Sequence, residues 1–433
     1  MRIALPALAF LVIAVASAWA DLDSYLAKPE PEAGWSVASR TVVGTCEVVA
    51  IKLKSQVWEG IAWEHDLILF RPQDSDVQDK MFLLNSGGKM KPDGLGYGVM
   101  LATMMKAPVA MLLGIPNQPL FDGKKEDDLI AETFVRYLDT KDESWPLLFP
   151  MVKSLVKAMD AVQEFSAQEG PKRTEKFVVG GASKRGWTTW LTAAADPRVL
   201  AITPMVIDVL KMPEQMARQV ECFGGPSEQI RPYTARGLVP MPDTEDVHRL
   251  WKWVDPWTYR AKFTMPKLLL LGNNDRYWAT DALNLYWDGL PGQKWINYTP
   301  NAGHNLTTTG ANGAKGDPMR AIQAMAAFAR HQFTGRAMPD LTWKHDDAGE
   351  QLRLTVTSNP APKEMHVWRC SGTTKDLRES HWDSRAIEAK EGRAEIFETR
   401  PASGVACFYA DCSYEIDGLP FTLCTQLRLV ESR

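Results

Sequence analysis

The stretch FVVGGASKRGWTTWLTAAADPRV, residues 177–199, decides the reading of this chain. Phe177-Val178-Val179 is a short apolar run that predicts a buried strand. It enters Gly181-Ala182-Ser183-Lys184-Arg185-Gly186, and Trp187 to Ala195 then follows a helical pattern. A sharp turn from strand to helix that exposes a serine Oγ is the layout of a nucleophile elbow. Small flanking residues relieve crowding, and the helix N-terminus stabilises negative charge. The usual pattern is Gly-x-Ser-x-Gly, but here Arg185 stands at the last glycine's place and Gly186 follows it. By itself the stretch reads more readily as a plain strand-turn-helix scaffold, so the rest of the chain has to discriminate.

Other apolar runs end in the same manner. Met81 to Leu84 ends in Asn85-Ser86-Gly87-Gly88, and Ala107 to Leu113 in Gly114-Ile115-Pro116-Asn117. Ala201 to Ile207 ends at Asp208, and Leu268 to Leu271 in Gly272-Asn273-Asn274-Asp275. Helical patterns such as Leu148 to Phe165 lie between most of them. Buried strands alternating with helices predict a mostly parallel sheet, with function on loops at the carboxyl ends of its strands. Pro318 to Phe333 predicts a last helix, punctuated by Gly335. From about Met338 the texture changes to short strands separated by charged or turn-rich stretches, with no helical period. Residues 338–433 therefore read as a small antiparallel β-sandwich-like domain, and 21–337 as the α/β domain.

The chain has 433 residues, 24% of them charged, and a formal net charge of −4. This balance gives no electrostatic footprint for nucleic acid and no polybasic membrane surface. Arg2, the apolar run Ile3 to Val15 and the small residues up to Ala20 predict a signal peptide over residues 1–20, cleaved after Ala20. No later segment offers 18 continuous apolar residues, the length of a membrane span. Export gives the six cysteines a disulfide reading: Cys370, Cys407, Cys412 and Cys424 crowd the C-terminus, where one or two bridges are expected. No Cys/His spacing predicts a metal, and no cofactor is expected.

A serine nucleophile needs a base, and the base needs an orienting carboxylate. Around such an elbow the order is serine, acid, histidine. After Ser183, the run Leu268–Leu271 delivers Asp275. Trp295 to Tyr298 then leads to Asn301-Ala302-Gly303-His304. Ser183, Asp275 and His304 are the candidate catalytic residues. Asp208 also follows a strand and is the alternative acid; its other reading is a helix cap. The remaining histidines lie in helical or strand-like segments and read as core or surface. For the oxyanion hole, the backbone N–H of Lys184 is one candidate donor and the Gly87-Gly88 turn the other. Lys184 or Arg185 could add positive charge there, or pair with an acidic neighbour. Asn117, Gln118 and Trp145 are candidate cleft residues, with a proline-shaped structural loop as the plain reading. Tyr277 and Trp278 flank the acid and read as cleft wall or as packing aromatics.

GGASKRGWTTWLTAAADPRV, with GIPNQPLF (114–121), SWPLLFPMVKSLVKAMDAV (144–162), DPWTYRAKFTMPKLLLLGNNDRYW (255–278) and LPGQKWINYTPNAGHNL (290–306), resembles the PhoPQ-activated pathogenicity-related protein family. The resemblance implies an exported α/β-hydrolase with a further C-terminal β domain, and a Ser-Asp-His hydrolase carried by Ser183, Asp275 and His304. It implies no particular substrate. The Ser-Lys-Arg-Gly stretch is also similar to the Ser-Arg-x-Gly elbow of glucuronoyl esterases, which implies an oxyanion role for Lys184.

Three readings follow. The first is an exported serine hydrolase acting on an ester or amide of a small-molecule or peptide substrate, with the family context and the β domain favouring peptide bonds. The second is a catalytically silent scaffold that binds a peptide or envelope partner, supported by Arg185 in place of glycine. The third is a carbohydrate-ester hydrolase, suited to aromatic cleft walls and a cationic Lys184 or Arg185.

Overall fold

The computed structural model describes residues 21–90, 94–308, 316–349 and 351–433. The expected signal peptide, residues 1–20, lies outside the described residues. Helix α1 (Leu22–Ala27) leads into three antiparallel strands, β1 (Gly34–Val43), β2 (Cys46–Trp58) and β3 (Ile61–Pro72). Next come β4 (Lys80–Asn85), α2 (Gly94–Met105), β5 (Val109–Leu112), α3 (Glu126–Thr140), α4 (Leu148–Glu169), β6 (Lys176–Ala182), α5 (Lys184–Ala195) and β7 (Val199–Met205). Helices α6 (Met212–Phe223), α7 (Arg231–Thr234) and α8 (Glu245–Val254) form an insertion before β8 (Lys267–Gly272), β9 (Lys294–Thr299) and α9 (Met319–Thr334). The C-terminal strands are β10 (Asp340–Ala348), β11 (Gln351–Asn359), β12 (Glu364–Gly372), β13 (Asp383–Ile387), β14 (Arg393–Thr399), β15 (Val405–Ile416), β16 (Leu419–Cys424) and β17 (Arg428–Glu431).

The central sheet runs β1-β2-β3-β5-β4-β6-β7-β8-β9, and every pairing from β5 to β9 is parallel. The parallel strands are buried on both faces, so they read in sequence as continuous apolar runs. The expected α/β fold with parallel sheet and flanking helices is the fold observed. β1 lacked such a signal because it is an edge strand with mostly exposed side chains, in which apolar and polar residues are mixed.

The C-terminal strands divide. β10, β11 and β14 form a separate antiparallel sheet, whereas β16, β15, β12 and β13 continue the central sheet past β9. Cys424 opposite Ile296 makes that junction. β15 is buried on both faces: Cys407 and Tyr409 join the core with Trp190 and Tyr298, and Phe408 and Ala410 join the other core with Phe328 and Val356. The expected disulfides are absent, and all six cysteines are free and buried. Cys370 and Cys407 face each other across β12 and β15 as core side chains. Burial pushes the Cys370 thiol up to about 12, so it behaves as a small apolar group.

Candidate active site

Ser183 sits between β6 and α5 with φ 56° and ψ −126°, a backbone conformation that L-residues rarely adopt. The surroundings enforce it. The Ser183 N–H donates to Met205 O at 2.8 Å. Asn85, at the end of β4, donates from Nδ2 to Gly180 O (2.7 Å) and Thr189 Oγ1 (3.1 Å), clamping strand to helix. Gly186 lets the helix approach: a Cβ there would stand 2.6 Å from Ile207 Cγ2 and 2.9 Å from Gly181 O. The glycine needed for close packing is therefore Gly186, one position later than in the usual pattern.

That shift leaves position 185 to a long side chain. Arg185 Nε donates to Ile115 O, and its two terminal nitrogens bind both Glu126 oxygens at 2.6 and 2.7 Å. Gln118 joins the same group, donating from Nε2 to Glu126 Oε1 (2.6 Å) and accepting from the Glu126 N–H (2.8 Å). Burial alone would raise the Glu126 carboxyl, but Arg185, Gln118 and Lys184 outweigh it and hold the group at about 2. Lys184 also pairs with acid: its Nζ lies 2.8 Å from Asp127 Oδ2 and 3.3 Å from Glu126 Oε2. Both cations of the elbow are thus neutralised by the first turn of α3.

The acid and the base meet on adjacent loops. Asp275 follows β8 and is buried, and its Oδ2 lies 2.7 Å from His304 Nδ1. Asp275 Oδ1 accepts the Tyr277 N–H at 2.8 Å, and the Asn274 N–H bonds to Ala302 O at 2.9 Å. His304 Nε2 is buried and makes no hydrogen bond. The Tyr277 ring stacks on the imidazole, with centroids 4.2 Å apart. Asp208, the alternative acid, points elsewhere: its Oδ1 accepts from Tyr286 OH at 2.5 Å. Burial pushes the Asp208 carboxyl up to about 7, and the nearby charge of Asp275 adds to the shift.

Ser183, Lys184, Tyr277, Trp278 and His304 line one cavity. Its remaining wall is mainly apolar and comes largely from the insertion between β7 and β8, including Met212, Met216, Ile230 and Trp251. One acid, Asp127, also lines it and accepts from Lys184 Nζ, Tyr233 OH (3.1 Å) and Tyr277 OH (3.4 Å). Reading along the sequence missed Asp127, because its partners lie 57 to 150 positions away.

Asn117, Gln118 and Trp145, expected as cleft residues, do not line this cavity among its described residues. Asn117 is bonded to Ala62 O at 3.1 Å, and Gln118 to Glu126. Trp145 packs edge-on against Trp58 and Phe121 beneath Arg136, as aromatic rings prefer. Gly87 and Gly88 follow β4, beside the elbow strand β6. Neither is in the cavity wall; Gly87 lies on Arg185, where a Cβ would meet Nη2 at 1.9 Å.

The parallel sheet, the strained serine between strand and helix, and an acid and a histidine after the next strands define an α/β-hydrolase fold. The chain belongs to the PhoPQ-activated pathogenicity-related protein family, which it matches over residues 22–378. It is 28% identical over 431 residues to autocrine proliferation repressor protein A of Dictyostelium discoideum, across 91% of this chain and 85% of that protein. Among solved structures it is similar to acetyl xylan esterase 1 from Thermoanaerobacterium sp. JW/SL YS485. That likeness has TM-score 0.50 and 15% identity, over 72% of this chain and 93% of the esterase. An acetyl xylan esterase from Paenibacillus sp. R4 superposes with TM-score 0.47 and 14% identity, over 71% and 91%. No helix among the described residues is long and apolar enough to cross a membrane.

Proposed function

We propose that the protein is an exported serine hydrolase that cleaves an ester or amide through an acyl-enzyme, with residues 21–337 as the catalytic unit. The observation that carries this reading is the 2.7 Å contact between His304 Nδ1 and Asp275 Oδ2. It leaves Nε2 buried and unbonded in a residue that shares one cavity wall with Ser183. Nδ1 donates to Asp275, so the neutral tautomer presents a basic Nε2. Ser183 Oγ attacks the carbonyl carbon while His304 Nε2 takes its proton. The tetrahedral intermediate collapses, the bond to the leaving group breaks, and His304 returns the proton to that group. Water then repeats the sequence on the acyl-enzyme and frees the acid. In this reading the Lys184 amide binds the oxyanion and the Gly87-Gly88 turn, after the strand beside β6, supplies the second donor, each donor being worth about 10²–10³ in rate.

A fluorophosphonate probe on purified protein tests the proposal, with Ser183→Ala and His304→Ala alongside. The adduct is expected on Ser183 and absent from both variants, as located by peptide mass spectrometry. A folded sample that does not label, and hydrolyses neither esters nor aminoacyl amides, would return the chain to the silent-scaffold reading.

A further inference from the structure

Two spaces meet at His304 and Tyr277, and they differ in chemistry. The first is the cavity with Ser183, walled largely by Trp, Met, Ile and Val side chains. The second is an open cleft that shares His304 and Tyr277 with it, without Ser183 in its described wall. Its wall is polar, including Gln229, Asn274, Arg276, Arg378, Ser380 and His381.

The far side of that cleft belongs to the C-terminal β region, in the loop between β12 and β13. It is built firmly onto the catalytic loops. Asn274, immediately before Asp275, donates from Nδ2 to the carbonyls of Ser380 (2.7 Å) and Arg378 (3.2 Å). Asn301, three residues before His304, bonds reciprocally with the backbone of Trp382: Nδ2 to the carbonyl at 2.9 Å, and the Trp382 N–H to Oδ1 at 2.8 Å. Glu228 bridges the two sides, accepting from Arg276 Nε (2.7 Å) and Arg378 Nη1 (2.8 Å). The loop that carries the acid, the loop that carries the histidine and the C-terminal loop are held as one wall.

The chemistry assigns the two spaces. The proton that His304 takes from Ser183 Oγ goes to the leaving atom as its bond to the carbonyl carbon breaks. The leaving group must therefore depart on the histidine side, and the acyl group remains on the serine side. The apolar cavity then receives the acyl part, and the polar cleft receives the leaving group. With the Asn274 and Asn301 carboxamides bonded to the C-terminal loop, the cleft offers the Gln229 and Asn305 carboxamides, the Ser380 and Thr307 hydroxyls and charges of both signs. Its described wall has one large aromatic ring, Tyr277, whose face is already stacked on His304. That inventory suits a peptide backbone, with its alternating donors and acceptors, better than a sugar, which favours open aromatic platforms.

We propose that residues 378–381 form the far wall of a leaving-group subsite, and that the group bound there is a peptide chain leaving through its amine. This rests on the serine-hydrolase reading above and adds the leaving-group class to it.

The test compares substrates sharing one apolar acyl group: a p-nitrophenyl ester, an amide of a peptide two to four residues long, and a sugar ester. The readout is the ratio of kcat/KM for the peptide amide to that for the p-nitrophenyl ester, in wild type, Ser380→Trp and His381→Trp. Both substitutions fill the cleft from its rim; the second, on an exposed side chain, guards against misfolding of the first. The ratio is expected to fall at least tenfold in both variants. An unchanged ratio in folded variants that still turn over the ester would overturn the subsite and leave the hydrolase reading intact. A ratio of the sugar ester to the p-nitrophenyl ester that falls further in both variants than the peptide-amide ratio would overturn the peptide assignment. Absence of both ester turnover and fluorophosphonate labelling would instead sink the hydrolase reading beneath it.

Discussion

Arg185 grips Glu126 with both ends of its guanidinium, Nη1 at 2.6 Å from Oε2 and Nη2 at 2.7 Å from Oε1. The same side chain reaches Ile115 O and lies against Gly87, so one residue ties the elbow to the loops after β4 and β5 and to α3. Arginine in place of the usual glycine is thus a structural brace, and its presence is no argument against an active serine.

The brace predicts a coupling. Gly87→Ala drives a Cβ into a guanidinium that its other bonds hold in place, which should cost about 1–3 kcal/mol. Arg185→Ala alone should cost about 2–3 kcal/mol, because the buried bonds to Ile115 and Glu126 are lost. In the double variant the clash disappears, so the two losses should sum to less than their separate values. Denaturant unfolding of the four proteins measures this coupling; strict additivity would refute the packing described.

Asp275 holds the imidazole and Asp208 does not. Asp275→Asn should lower kcat by about 10³–10⁴-fold, since it disturbs the tautomer that presents a basic Nε2. Asp208→Asn should retain most activity. Kinetics on any substrate found for the wild type decides between them, and the reverse ranking would make Asp208 the orienting acid.

Asp208 also predicts a pH effect on stability. Its carboxyl titrates at about 7 in the folded chain, against an ordinary 3.8. Between about pH 4 and 7 the folded state keeps a proton that the unfolded state has released, so this group's contribution to stability falls as pH rises through that window. Asp208→Asn still offers Tyr286 an acceptor but does not titrate. The Tm of the variant minus that of wild type should increase from pH 4 to 7 and level off above. A flat difference would mean that Asp208 is already ionised at pH 4.

The thiols give a chemical check. All six cysteines are free and buried. Ellman's reagent should find few reactive thiols in the native protein and six per chain after denaturation without reductant. A count of four would reveal a disulfide, and Cys370–Cys407 would be the first pair to examine, because they face each other in register.

The sequence by itself determined the parallel strands of the sheet, the elbow and the loops that carry Asp275 and His304. Those signals are local: apolar runs buried on both faces, ended by turn residues, spaced by helical patterns. It also held Arg185 in plain view, but not its purpose, because Glu126 is 59 positions away and Ile115 is 70. Only the tertiary structure decided that Asp127 enters the cavity, that Trp145 packs against Trp58 instead, and that Asp208 turns to Tyr286. The same holds for the loop of residues 374–382, which meets Asn274 across more than 100 positions. Such contacts depend on which elements the fold brings together. A chain read in order shows where a turn must fall, and not what lies across from it.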